Sequence, residues 1–321
     1  MSSTNRVPET RDADGSELSA EDALHTLLRY GSWHLARDAF VRFRYADGFS
    51  HARAFALQLC LAAVPFLIAL TGLAAALGAD SGGQVVAQTM LALTPGGSDD
   101  LVAEVLSGRE RVEEAGEVAL TLGLLTGIVA LTTAMAQVER GANRMYGVER
   151  DRPATRKYAR ALLLALTAGS AAFAGFLLMV AGEPFGEVVE QTYHWGDAAE
   201  TVWDWLRWPA GLALAVTAIA VMFEWAPRRR QPGPSWLAFG AAITVLLWLV
   251  SSALLAVYVA GSGGFGSTYG PLTAVMALLL WANVTGIALF LGLAFAAQLE
   301  AVRAGVPDPI EPDHWEPSDL P

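Results

Sequence analysis

The sequence predicts an all-α integral membrane protein, and three observations carry that prediction. Hydrophobic residues fill 54 % of the 321 positions and charged residues only 17 %, too few charges to cover the helices of a soluble domain of this length. The charges are gathered into blocks separated by long apolar runs. Those blocks alternate in sign along the chain, so the formal net charge of -11 conceals a segregation that is itself the signal.

Crossing a hydrocarbon core of roughly 30 Å takes about 20 apolar residues in a helix. Six segments meet this requirement: about Ala54 to Gly78, Val118 to Val138, Ala161 to Gly182, Trp208 to Trp225, Trp236 to Ala260 and Gly270 to Leu299. The fourth is the shortest, and the sixth is long enough to need tilt or a protruding end. All are apolar around their circumference, unlike the one-faced helices of a soluble bundle. Residues 1–20 are polar with no apolar core, so the first span is expected to act as the insertion signal.

Orientation follows from the arginines. Arg6, Arg11, Arg29, Arg37, Arg42, Arg44 and Arg53 precede the first span, and a second basic block runs from Arg140 to Arg160. Arg228, Arg229 and Arg230 precede the fifth span, and Arg303 follows the sixth. Of the 21 basic residues, only Arg109, Arg111 and Arg207 fall on the other side, where the loops are acidic. The expected topology is N-in and C-in, in a bacterial-type inner (cytoplasmic) membrane.

Interfacial elements are also expected. Residues 24–45 alternate apolar and basic residues at helical spacing, as in an amphipathic helix on the anionic inner leaflet. Residues 84–106, interrupted by Thr94-Pro95-Gly96-Gly97, read as two short outer helices, and Trp195, Trp203 and Trp205 as an outer aromatic belt. Residues 1–20 and 304–321 are polar, proline-containing tails expected to be disordered, leaving 21–303 as the membrane domain.

Few residues could carry chemistry. Cys60 stands alone, and His25, His34, His51, His194 and His314 form no ligand spacing, so neither a disulfide nor a metal site is expected. The stretch Gly261 to Gly270 lacks the GK[ST] ending of a phosphate-binding loop and reads as a tight outer turn; no cofactor is expected. Gly123 and Gly127 form a GxxxG pair, read first as packing within the chain and second as a dimer face. Pro65 interrupts the backbone bonding of the first span. Gln58 and Asn283 are polar groups within spans, suited to interhelical hydrogen bonds. Glu224 is the sharpest embedded ionisable group, with a salt bridge to Arg228, Arg229 or Arg230 as its preferred reading. No nucleophile–base pair or carboxylate pair emerges, so the chain is read as a non-enzyme. Its acidic outer loops would repel nucleic acid.

Several segments resemble the YihY/BrkB family of bacterial inner-membrane proteins, formerly labelled ribonuclease BN-like, over about residues 35–300. They are AFALQLCLAAVPFLIAL with Pro65; ERGANRMYGVERDRP with Asn143, Tyr146, Gly147 and Arg152; EWAPRRR before the fifth span; and YGPLTAVMALLLWANVTGIALFLGLAFAAQLEA with Tyr269, Gly270, Trp281 and Gly292. The chain departs from the family where an acidic residue often follows the last glycine: here the stretch reads Gly292-Leu293-Ala294-Phe295-Ala296-Ala297. The resemblance implies a role in envelope integrity, with movement of a lipid or lipid-linked envelope molecule as the leading activity. A membrane scaffold without transport is the alternative, and a ribonuclease the remote one. The implied partners are membrane lipids, with a homo-oligomer or envelope proteins as further candidates.

Overall fold

A computed structural model describes residues 5–10, 19–76, 109–180, 196–261 and 272–312, together with 182, 185, 186 and 189. In chain order the helices are α1 (Ala20–Tyr30), α2 (Ser32–Tyr45), α3 (Gly48–Ala76), α4 (Arg109–Met145), α5 (Ala154–Leu164), a π-helical turn (Ala165–Gly169), α6 (Ser170–Val180), α7 (Asp197–Trp225), α8 (Pro234–Gly261) and α9 (Leu272–Arg303). Strands β1 (Asn5–Arg6) and β2 (Glu311–Pro312) form a short antiparallel pair. The predicted outer helices at 84–106 and the glycine-rich turn lie outside the described residues.

Among the described residues, five stretches are long and apolar enough to cross a membrane: Leu120–Met145, Ala154–Met179, Thr201–Trp225, Pro234–Tyr258 and Val275–Arg303. In their most apolar windows only 22 to 50 % of residues are buried, which leaves most of that apolar surface facing outward, as lipid-facing helices require. α3 covers the described part of the first predicted span. The helices outrun the predicted spans: α4 has 37 residues, about 55 Å at 1.5 Å per residue. α7 begins at Asp197, so Trp203 and Trp205 belong to the fourth long helix rather than to a separate interfacial segment. Hydropathy marks only the apolar middle of such rods, because a helix continues past the hydrocarbon wherever its backbone hydrogen bonds do.

The chain divides into two compact units. The first comprises Met1–Cys60, Thr132–Ala168 and Val216–Pro321, and the second Leu61–Leu131 and Gly169–Ala215. In the second unit a Cβ on Gly123 would lie 2.6 Å from the Ala69 nitrogen and 2.8 Å from the Pro65 carbonyl. The first glycine of the GxxxG pair therefore packs α4 closely against α3 within the chain.

In the first unit, the predicted 24–45 helix is broken in two. Gly31 adopts φ +95°, and α1 and α2 meet there at an angle that one continuous helix would not allow. Ser19 caps α1 reciprocally with Asp22, at 3.1 and 3.3 Å, the capping-box arrangement. α2 packs on α9 through Leu35, Ala39, Arg42 and Phe43, all buried and spaced as one helical face. Both terminal segments make contacts where they are described. Arg6 of β1 pairs with Glu311 of β2 at 2.8 Å, and Thr10 donates its backbone N–H to the Tyr146 carbonyl at 3.1 Å.

Candidate functional site: a buried polar cluster around Tyr146

The first unit gathers a set of charged and polar side chains at the C-terminal ends of α4, α7 and α9. Arg42, Glu139, Asn143, Gln298 and Glu300 are each 0 to 1 % exposed. Buried charge is costly unless paired, and nearly all of this set is paired.

α4 ends in a Schellman turn, with Val148 N–H bonded to the Asn143 carbonyl and Gly147 N–H to the Arg144 carbonyl. Gly147 takes φ +74° there, the left-handed position that favours glycine. A Cβ on Gly147 would also lie 2.5 Å from the Pro8 carbonyl oxygen, so the same glycine lets the N-terminal segment cross the turn. Asn143 then bridges two loops: its Nδ2 donates to Asp151 Oδ1 at 3.0 Å, and its Oδ1 accepts from the backbone N–H of Arg228 at 2.7 Å.

Arginines close the end of α7. Arg152 donates to the Ala226 and Pro227 carbonyls at 2.8 and 2.7 Å and pairs with buried Glu139 at 3.2 Å. Arg160 donates to the Trp225 carbonyl at 2.8 Å. Cations at a helix C-terminus satisfy its free carbonyls and oppose its dipole. Asp151 receives Lys157 at 2.8 Å and Arg140 at 3.4 Å. Burial alone would raise its carboxyl; the hydrogen bonds from Lys157 and Asn143, with the charges of Lys157 and Arg140, more than offset this and hold it at about 2.

Tyr146 lies at the centre and is fully buried. The Arg229 guanidinium stands 4.7 Å from its ring centroid, within cation–π range. Arg229 also grips Glu300 through both terminal nitrogens. Arg42 donates to Gln298 Oε1 at 2.8 Å, to the Met145 carbonyl at 3.0 Å and to Thr10 Oγ1 at 3.4 Å. Burial lowers the Arg42 pKa to about 10, so it stays charged at neutral pH. Burial, then the Glu300 charge, raises the Tyr146 phenol above its ordinary value against the opposing arginines, so it stays neutral. Gln298 turns its amide nitrogen to the Pro307 carbonyl, which fastens the C-terminal segment to the same cluster.

Four motif residues from the sequence, Asn143, Tyr146, Gly147 and Arg152, therefore meet here. The others lie apart. Gln58 accepts from Thr133 Oγ1 at 2.9 Å across α3 and α4, one step along a seam that also joins Gln137 to His51 at 2.9 Å. Trp281 meets Trp248 edge-on, with centroids 6.4 Å apart. Gly292 faces Thr244, whose Oγ1 would be 1.9 Å from an added Cβ. Asn283 is half-buried with no hydrogen bond among the described residues, Pro65 stays within an unbroken α3, and Tyr269 and Gly270 lie outside the described residues.

The expected salt bridge of Glu224 to the following arginines does not form. Arg229 turns to Glu300, and Arg228 bonds the Arg150 and Asp151 carbonyls at 3.3 and 3.1 Å. Half-buried Glu224 has no ion pair among the described residues, because the turn after α7 directs these arginines away from its own helix. Sequence reasoning passed over Arg42, Glu139 and Glu300, since a charge in a basic amphipathic segment or at the end of an apolar run reads as solvated. Glu300, eight residues past Gly292, lies within the last stretch that resembles the family, but the resemblance did not single it out. Near the cluster, a cleft of about 840 Å³ opens between the terminal segments and the α4–α5 loop, lined by Arg6, Arg150 and Arg228 and by Glu9, Glu149 and Glu311. No three His, Cys, Asp or Glu side chains among the described residues could hold a metal.

Comparison with known proteins places this geometry in a family. The ribonuclease-like protein YfkH of Bacillus subtilis (strain 168) is 23 % identical over 274 residues, covering 85 % of this chain and 97 % of that protein. No solved structure matches. The model of the family described as virulence factor BrkB matches residues 39–316, a range that takes in α3 to α9 and every cluster residue named above except Pro8 and Thr10. This chain belongs to the BrkB family.

Proposed function

We propose that the chain is a six-span protein of the bacterial cytoplasmic membrane, both termini inside, that supports envelope integrity by moving an anionic lipid or lipid-linked molecule between leaflets. The observation that carries the reading is the polar seam between α3 and α4. His51 with Gln137 and Gln58 with Thr133 lie two turns apart, about 10 Å along α3, and the Gln58–Thr133 pair sits within apolar stretches of both helices. Besides joining the two helices, paired polar groups at such positions can exchange their mutual hydrogen bonds for bonds to a passing headgroup. The arginine pattern supports the inward termini, and the family resemblance supplies the envelope role.

The test is movement of a labelled anionic phospholipid across vesicles holding the purified protein, read with a leaflet-specific quencher. Movement above empty vesicles, cut severalfold by Gln58→Leu in a normally folded protein, is the expected result. A parallel Glu224→Ala variant asks whether that carboxylate, which has no ion pair among the described residues, lies on the path. No movement from folded, inserted protein would replace this reading with the scaffold. RNA cleavage in detergent, abolished by one named substitution, would replace it with the activity in the Bacillus relative's name.

A further inference from the structure

α2 presents two opposite faces. Leu35, Ala39, Arg42 and Phe43 are buried against α9. On the other side, Trp33, Arg37, Phe40 and Arg44 follow at intervals of four, three and four residues, which aligns them in one stripe. Trp33 is 78 % exposed and Phe40 46 % exposed, and Arg37 and Arg44 are exposed as well. Neither arginine has an acidic partner among the described residues. Asp38, the acid of α2, points off the stripe and accepts a hydrogen bond from Tyr30 at 3.0 Å.

The stripe adjoins a membrane helix. α2 ends at Tyr45, and α3 starts at Gly48 after a turn in which Asp47 takes φ +55°. Phe49, 41 % exposed, extends the aromatic series across the turn, its ring edge-on to Phe40 at 6.4 Å. The exposed aromatics thus lie on the segment that leads through this turn into the apolar run beginning near Ala54.

We infer that the Trp33–Arg37–Phe40–Arg44 face of α2 is a docking surface for anionic phospholipid headgroups, with the aromatic rings seated at the membrane interface and the two arginines binding phosphate. Charge complementarity and the chain's direct continuation into α3 both favour this occupant. Exposed indole and phenyl rings rest well at the level of the headgroups, and a guanidinium offers a planar fork of donors matched to phosphate oxygens. A helix clamped on one face to the bundle holds these groups in place without the ordering cost that a free amphipathic segment meets on binding. The face would fix the depth of the first span and keep anionic lipid beside it. The inference rests on the membrane-spanning reading but not on translocation.

The test uses the full chain in vesicles containing chain-brominated phosphatidylglycerol or chain-brominated phosphatidylcholine. The emission of Trp33 is obtained as the difference between the protein and its Trp33→Phe variant. The expected result is quenching by both lipids, stronger for phosphatidylglycerol at equal mole fraction. Arg37→Gln and Arg44→Gln should each reduce that preference, by up to roughly fivefold, the factor matching about 1 kcal/mol per basic residue at an anionic surface. Quenching by phosphatidylcholine should persist in both variants. Trp33 emission quenched by iodide and by neither lipid would place the stripe in water and overturn the proposal. Protection from all three quenchers would assign it to a second copy or another protein and overturn it equally. Equal quenching by the two lipids, unchanged in the arginine variants, would remove the phosphate role. Because this is a static measurement, a failed translocation assay would leave its outcome standing.

Discussion

Arg229 and Glu300 lie 71 residues apart in sequence and meet through two parallel hydrogen bonds, with side chains only 5 % and 1 % exposed. The pair joins the turn after α7 to the end of α9 beneath Tyr146. Breaking it from one side leaves a buried charge without its counterion, which typically costs about 3–5 kcal/mol. Glu300→Ala should therefore lower the unfolding midpoint in detergent sharply. Replacing both partners with apolar residues, Arg229→Met with Glu300→Leu, should cost less than the two single changes added together. Strict additivity would show that the pair is not coupled.

Asp151 gives the cluster a pH signature. Its carboxyl is held at about 2 against an ordinary 3.8, so the unfolded chain takes up the proton first as pH falls. The stabilisation is complete above the unfolded value and is lost as pH drops from about 4 toward 2. The difference in unfolding temperature between the native protein and Asp151→Asn should be constant from pH 5 to 7 and shrink through that window. A difference that instead changes between pH 5 and 7 would assign the linkage to another group.

Gly147 couples the α4 turn to the N-terminal segment. At φ +74° an alanine carries a backbone penalty of roughly 1–2 kcal/mol, and its Cβ would collide with the Pro8 carbonyl. Gly147→Ala should speed hydrogen exchange at the Thr10 amide, which is bonded to the Tyr146 carbonyl, before it affects helix content. Unchanged exchange at Thr10 would show that the segment is held elsewhere.

Gly292 should behave as a close-contact glycine. Adding a methyl group against Thr244 overpacks the α8–α9 contact, an effect of about 1–3 kcal/mol. Thr244→Ala, which removes the hydroxyl nearest the added carbon, should recover part of the loss in the Gly292→Ala background. No recovery would show that the backbone, rather than the hydroxyl, limits the approach.

The apolar runs, the arginine blocks and the close-packing glycine of the GxxxG pair were legible in the sequence, because hydropathy, charge and small-residue spacing are local properties. They determined an all-helical chain with several membrane-length helices, and the resemblance picked out Asn143, Tyr146, Gly147 and Arg152. Partnership was not legible. Glu139 and Glu300 each stand at the end of an apolar run and Arg42 within a basic amphipathic segment, where a charge has the same local signature whether it faces water or a counterion. Glu224 was given the arginines nearest in sequence, but the turn after α7 sends Arg229 to α9 instead. The break at Gly31 and the pairing of β1 with β2 depended likewise on surfaces distant in the chain. Whether a charge is buried is decided by the neighbours that exclude water from it, and only the tertiary structure brings those neighbours together.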